Sequence, residues 1–281
     1  MAQLHVSDLF GVKGKVCLVT GGGSGLGEMM TTSLVQNGAR VIIASRKESA
    51  LRSVAERLSR QGPGSCEYIV ADLGSKDGVD SLCREVKRRT DRLDIVVSNS
   101  GSTWGDLLTE FPEKQGWDRV LATNVKAFFY VTAGLVDLLA KNKTNVDPGR
   151  VVVISSIAGL SPVADNSVLA EKGTGLWSYN ASKAAASHLA KSLSVTLAPR
   201  FITVNSINPG VYPTNMTRRG FEKEPDNILK TQPMGRTGTP EDIAGLLLFL
   251  VSRAGAHITG NVIHTDGGSL YGGARGALER L

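Results

Sequence analysis

The sequence predicts a doubly wound α/β fold, one parallel seven-stranded sheet with helices on both faces. Three observations predict it. Apolar runs alternate with amphipathic stretches from start to finish, the strand candidates are near-continuously apolar, and no Pro/Gly/Ser-rich linker divides the 281 residues. Strands buried on both faces need helices above and below. Right-handed crossovers between parallel strands then wind the chain in both directions. One domain, residues 1–281, follows.

Each element has its own signal. Residues 15–20 read as a buried strand, followed by a Gly-rich turn and a helix that Gly38 stops. Strand two is 39–44, with a helix over 47–60; strand three is 68–71, with a charged amphipathic helix over 76–89. Strand four is 93–98. A long helix covers about 117–142, interrupted by little but Gly134. Strand five is 150–154. A helix rich in small residues (Ala181, Ala184, Ala185, Ala186, Ala190) runs from about 178 to 198, where Pro199 stops it. Strand six is 202–207, the last helix 240–252 and strand seven 261–265. Two stretches, 157–177 and 210–239, are too long for plain connectors. Both follow strands at their carboxyl ends, where ligands sit in this architecture, and they are expected to be substrate-binding loops.

Composition narrows the function classes. With 41% hydrophobic and 21% charged residues the chain reads as an ordinary globular protein. No apolar run approaches the roughly 20 residues of a membrane span, and the first residues lack a secretory pattern, so a cytoplasmic protein is expected. The terminal Glu279-Arg280-Leu281 reads as a frayed tail. The three cysteines, Cys17, Cys66 and Cys83, form no CxxC pair and no metal spacing, as in a reduced compartment. The net charge of +6 is spread along the chain without a dense basic run, which argues against nucleic acid and for one anionic cofactor.

That cofactor has a place. Thr20-Gly21-Gly22-Gly23-Ser24-Gly25-Leu26-Gly27 stands between a strand and a helix. Glycines let backbone approach a pyrophosphate, and the helix amino end offers free N–H groups and a positive dipole end. This is a Rossmann-type phosphate cradle. At the end of strand two a carboxylate would grip the adenosine ribose and repel a 2′-phosphate. The chain instead reads Ser45-Arg46-Lys47, whose guanidinium can grip the phosphate, so the cofactor is expected to be NADP(H). Asp72-Leu73, ending strand three, is placed to meet the adenine.

Proton chemistry centres on Tyr179 and Lys183, four residues apart and so on one helix face. A cation beside a phenol lowers its pKa and makes it a usable acid or base near neutrality. Ser156, directly after strand five, can hold a substrate oxygen, although adjacent Ser155 competes for the role. Asn124 is a polar residue amid an apolar helix.

Together these pieces resemble the short-chain dehydrogenase/reductase family over nearly the whole chain. Thr20 to Gly27 fits the family's TGxxxGxG, Tyr179 to Lys183 its YxxxK, Asn208-Pro209-Gly210 its PG signature and Asp266-Gly267-Gly268 its DGG. The resemblance implies a tetrad of Asn124, Ser156, Tyr179 and Lys183. Tyr179 would donate the proton in reduction, Ser156 position the carbonyl, Lys183 lower the Tyr pKa and bind the nicotinamide ribose, and Asn124 hold a relay water. It further implies cofactor contacts from Gly21, Gly23, Ser24, Gly25, Leu26, Asn99, Gly101, Pro209, Gly210 and Val211, with Thr214 on the nicotinamide carboxamide. The family's NNAG appears here as Ser98-Asn99-Ser100-Gly101, a departure that bears on local loop geometry. The stretch between Ser156 and Tyr179 is also longer than usual. Within the family, residues 100–105, 209–218 and 233–236 resemble the 3-oxoacyl reductases of the rhamnolipid-biosynthesis type.

Trp104, Leu160, Val163, Leu169, Trp177, Tyr212, Met216 and Phe221 supply apolar lining from the loops. The expected activity is therefore NADPH-dependent reduction of an apolar ketone or 3-oxoacyl compound. Two alternatives stand beside it: alcohol oxidation with NADP+, and a non-catalytic NADP(H)-binding regulator. An acidic carrier protein as partner is not favoured: Arg200 fits one basic docking place, but Asn145-Val146-Asp147-Pro148 stands at the other, with Lys141 and Lys143 upstream. A homotetramer is expected, with the 117–142 and Tyr179 helices pairing across a two-fold axis.

Overall fold

The structure is a computed structural model, and it describes residues 4–165, 171, 173–223 and 225–272. Leu169 and the terminal Glu279-Arg280-Leu281 lie outside them. The elements in chain order are α1 (Val6–Phe10), β1 (Val16–Thr20), α2 (Gly25–Gln36), β2 (Arg40–Ser45), α3 (Glu48–Gln61), β3 (Ser65–Val70), α4 (Lys76–Arg89) and β4 (Ile95–Ser98). There follow α5 (Arg119–Leu121), α6 (Ala127–Ala140), β5 (Gly149–Ile154), α7 (Trp177–Leu197) and β6 (Ile202–Pro209). The chain then forms α8 (Arg218–Lys223), α9 (Pro225–Lys230), α10 (Pro240–Val251), β7 (Val262–Thr265) and α11 (Ser269–Gly272).

All seven strands are parallel, in the order β3-β2-β1-β4-β5-β6-β7. Sequence order reverses between β1 and β4, which lie side by side with Thr20 opposite Ser98. A crevice opens beyond the carboxyl ends of strands at such a reversal.

The core explains the apolar runs. Alternate residues of one strand enter opposite layers: Leu18 packs with α4, α6 and α7 residues such as Leu82, Phe128 and Ala186. Cys17 and Val19 pack with Met30, Leu51 and Leu247 from α2, α3 and α10. Burying each Leu or Phe stabilises the fold by roughly 1.5–3 kcal/mol. The three cysteines are free and buried, and burial pushes the thiols up, Cys66 to about 12 and Cys83 to about 11.

Three expectations are corrected. β3 begins at Ser65 rather than 68. It is an edge strand, and Ser65 and Glu67 lack the apolar character that marks central strands. β4 begins at Ile95 rather than 93, because Leu93 and Asp94 bond as a loop to Leu138 and Val16. The helix expected over 117–142 is not continuous. Glu113–Asp118 and Ala122–Lys126 are π-helical turns on either side of α5, and the second closes with the Ala127 N–H on the Ala122 carbonyl. Such wider turns recur at functional sites.

Candidate active site

The glycine turn takes its shape from steric need. Gly21 and Gly25 hold positive φ, 67° and 54°, where a side chain is strained. At Gly22 a Cβ would strike Ile43, and at Gly27 it would strike the Gly21 carbonyl, so α2 packs directly on the turn. Ser24 sits at the N-cap of α2 without a side-chain capping bond. The turn therefore leaves helix-end amides for an anion, at the edge of a cleft lined by Gly21, Ser24, Gly25, Leu26, Tyr179, Lys183 and Thr214. Gly23 packs against Leu51, so only its backbone faces the turn.

The loop after β4 closes the other side. Asn99 donates from Nδ2 to the Thr20 and Gly21 carbonyls at 3.0 and 3.3 Å, and the Thr20 hydroxyl accepts the N–H groups of Asn99 and Ser100. These bonds hold the loop where the sequence departs from NNAG. A Cβ at Gly101 would come within 3.5 Å of Asn124 Oδ1 and 3.6 Å of Lys183 Nζ, so glycine keeps that space open.

Asn124 is buried in the second π-helical turn. Its side chain accepts from the Ser102 N–H at 2.8 Å and donates to the Ser102 carbonyl and Ser182 Oγ at 2.9 and 2.8 Å. Ser155 and Ser156 separate cleanly. Ser155 Oγ donates to the Lys183 carbonyl at 2.7 Å and is buried as a tether of α7. Ser156 Oγ accepts from the Ala158 N–H at 3.1 Å and lies close enough to the Tyr179 phenol to favour its ionised form slightly. Asn208, which the sequence offered only as part of a turn signature, donates to the Ser156 carbonyl at 3.1 Å.

Tyr179 and Lys183 are both buried on α7, with Nζ 5.5 Å from the centre of the phenol ring. Nζ donates to the Ile154 carbonyl at 2.9 Å, at the end of β5. Burial holds the Lys183 ammonium down to about 8. Burial likewise raises the Tyr179 phenol above its ordinary value, against a smaller lowering by the nearby Ser156 hydroxyl. The expected depression of the phenol by Lys183 is thus reversed in direction, because desolvation disfavours phenolate more than its neighbours favour it.

The remaining sequence candidates divide. Arg46 and Lys47 are exposed beyond Ser45 at the end of β2, and Glu48, the next acid, bonds to Arg52 at 2.7 Å. Asp72 Oδ1 accepts from the Gly74 N–H at 3.0 Å, and the Leu73 side chain belongs to the core. Pro209 ends β6. Gly210 packs on Asp266 and bonds to the Thr265 carbonyl at 3.1 Å, while the Val211 carbonyl takes the Gly238 N–H.

Of the apolar candidates, Met216 lies at the cleft and is exposed; Val163 is exposed, and exposed Leu160 lines a different groove, with His188, Lys191 and Tyr271. Trp104 is held by Asp106 at 3.2 Å, and Trp177 stacks edge-on against Phe111. Tyr212 does not line this cleft: it is buried against Gly238, and its hydroxyl lies 2.6 Å from Thr265 Oγ1. Phe221 lines an adjoining groove between α2 and α10 that shares Ser24, Gly25, Thr214 and Asn215 with the cleft.

Among the described residues no group of three His, Cys, Asp or Glu side chains gathers as a metal site, and no helix is long and apolar enough to cross a membrane. The uncapped α2 end, the exposed cations after β2 and the space kept by Gly101 beside Lys183 fit a phosphorylated dinucleotide laid across the β1/β4 crevice.

Known proteins are similar to this chain in sequence and fold. A family model described as "Enoyl-(Acyl carrier protein) reductase" matches residues 21–269. The rhamnolipids biosynthesis 3-oxoacyl-[acyl-carrier-protein] reductase of Pseudomonas aeruginosa is 38% identical, over 92% of this chain and 97% of its own. The short-chain dehydrogenase/reductase PhomF of Diaporthe leptostromiformis is 31% identical, over 95% of both chains. The solved RhlG/NADP active-site complex of Pseudomonas aeruginosa superposes with a TM-score of 0.85 at 37% identity, covering 94% of this chain and 99% of that one. The chain belongs to the short-chain dehydrogenase/reductase family.

Proposed function

We propose that the protein reduces an apolar ketone or 3-oxoacyl carbonyl to a secondary alcohol with NADPH, Tyr179 donating the proton. One observation carries this reading: a buried phenol, neighboured by the Lys183 ammonium, lines the cleft that ends in the uncapped glycine turn. The names of the relatives, a 3-oxoacyl reductase and an NADP complex, support the substrate class and the cofactor.

The cofactor, when bound, supplies hydride to the carbonyl carbon. The protein's part is acid catalysis and positioning. Because burial raises its pKa, Tyr179 stays protonated at neutral pH, which is the form that donates to the carbonyl oxygen. Ser156 Oγ holds that oxygen in reach. As the proton leaves, the Lys183 ammonium stabilises the phenolate and orients the ribose. Asn124 keeps the Ser102 backbone and α7 in register around them. Arg46 and Lys47 receive the 2′-phosphate. Asp72 and Leu73 border the adenine, and Pro209, Gly210, Val211 and Thr214 border the nicotinamide. The described parts of 157–177 and 210–239 wall an apolar substrate, with exposed Met216 at the cleft. The proposed state is a cytoplasmic homotetramer, and exposed Phe129 on α6 and Val195 on α7 support its assembly through these helices.

The test is NADPH consumption against a panel of ketones and 3-oxoacyl esters, with NADH in parallel. Turnover preferring NADPH, lowered about 10²–10⁴-fold in Tyr179→Phe, is expected. Tight NADPH binding with no turnover on any substrate would return the non-catalytic regulator, and faster oxidation of the matching alcohols the dehydrogenase.

A further inference from the structure

Thr214 lines the cleft with Tyr179 and Lys183, and its methyl side faces Gly25, where an added Cβ would meet Thr214 Cβ and Cγ2 at 3.3 Å. Its hydroxyl faces inward, 3.2 Å from Oγ1 of buried Thr217. A hydroxyl has one hydrogen to give and two lone pairs. The Thr217 hydrogen goes to the Tyr212 carbonyl at 2.7 Å, with the Thr214 carbonyl at 3.2 Å as its other acceptor. Either way it points at a carbonyl and not at Thr214 Oγ1. One Thr217 lone pair accepts the Thr214 N–H at 2.9 Å, and the second is left for the Thr214 hydroxyl. The Thr214 hydrogen is thereby turned away from the cleft, and its lone pairs are what the cleft meets.

We propose that Thr217 is a positioning residue that makes Thr214 a hydrogen-bond acceptor toward the cleft, so that the site selects a ligand group that donates, the amide NH2 of a nicotinamide. The inference rests on the proposed placement of NADP(H). An ester, ketone or phosphate oxygen at the same place would face lone pair against lone pair. Tyr212 shares in the device: its ring against Gly238 and its hydroxyl bonded with Thr265 fix the carbonyl to which Thr217 donates.

The experiment compares binding of NADP+ and of its 3-acetylpyridine analogue, which keeps the ring carbonyl but replaces the amide NH2 by methyl. Calorimetry on the full chain reads dissociation constants without turnover. The wild type should prefer NADP+ by about three- to tenfold, the worth of one neutral hydrogen bond. Thr217→Val should lose that preference by weakening NADP+ alone, with the analogue within about twofold of wild type. Thr217→Ser should keep the preference. If Thr217→Val fails to fold, Thr217→Ala removes the same hydroxyl without the added methyl. Equal weakening of both dinucleotides would reduce Thr217 to structural support and overturn the proposal, as would an unchanged preference. Thr214→Val supplies the separate control. A preference surviving there would also sink the proposal, but by showing that the carboxamide lies elsewhere. A wild type that binds neither dinucleotide would instead refute the functional reading itself.

Discussion

The two ends of β5 each bury a cation, and the difference between them separates architecture from chemistry. At the amino end Arg150 is 2% exposed, and at the carboxyl end Lys183, reaching over from α7, is 6% exposed. Arg150 donates to the Pro148 carbonyl and to the Ser252 carbonyl at 2.9 Å, with Asp147 at 3.9 Å. Beside it Asp94 accepts from the Val16 N–H at 2.7 Å and pairs with buried Lys143. Lys183 has the Ile154 carbonyl, and burial alone moves its pKa. An arginine keeps its proton whatever its surroundings, so carbonyls and acids around it make a clamp. A lysine held by one carbonyl can give its proton up. The fold spends its acids at the pole where nothing reacts.

The sharpest contrast is in rate. Lys183→Met should lower turnover by two orders of magnitude or more, about the worth of assisted proton transfer. Arg150→Met should leave kcat at the wild-type value, and a comparable loss there would break the contrast. The next effect is the dependence of stability on pH, read by denaturant unfolding of the cofactor-free protein. Below about pH 8 Lys183 is charged in folded and unfolded chains alike, and the cost of burying it is felt in full. Between about 8 and its ordinary 10.5 the unfolded chain holds a proton that the folded one has shed, so stability rises with pH. That rise amounts to at most about 3 kcal/mol. The raised Tyr179 pKa acts in the opposite sense above pH 10, where the unfolded phenol ionises first. Lys183→Met should flatten the rise. The smallest effect is Arg150→Met itself, which leaves carbonyls unpaired and should cost about 1–3 kcal/mol, equally on both sides of pH 8.

The sequence revealed most where a residue's neighbours in the chain are also its neighbours in space. α4 runs over the residues its charge pattern marks, 76 to 89, and the structure adds a Ser75 cap that accepts from the Gly78 N–H. The glycine turn, Tyr179 and Lys183 are local patterns on one turn and one helix. What stayed hidden depends on distant chain. Ser155 and Ser156 are equivalent in sequence, and only the Lys183 carbonyl, brought alongside by α7, tells them apart. Tyr212 has the composition of a lining residue until β7 arrives with Thr265. The direction of the Tyr179 shift depends on how deeply α7 is buried, which spacing does not encode. The two π-helical turns left no mark, since one added residue shifts the apolar pattern by a single position and Glu113–Asp118 carries only Trp117 to register the shift.

The second of those turns has a consequence for how this segment tolerates change in length. A π-helical turn holds one residue more than an α-turn in the same span, so the helix around Asn124 already carries an insertion in its register. Deleting one residue between Ala122 and Lys126 would ease the backbone toward regular α-helix. It would also remove the widened turn that sets Asn124 against Ser102 and Ser182, even with the flanking turns left in place. In this stretch the more comfortable helix is the less useful one, and single-residue deletions should be tolerated by the fold well before they are tolerated by the site.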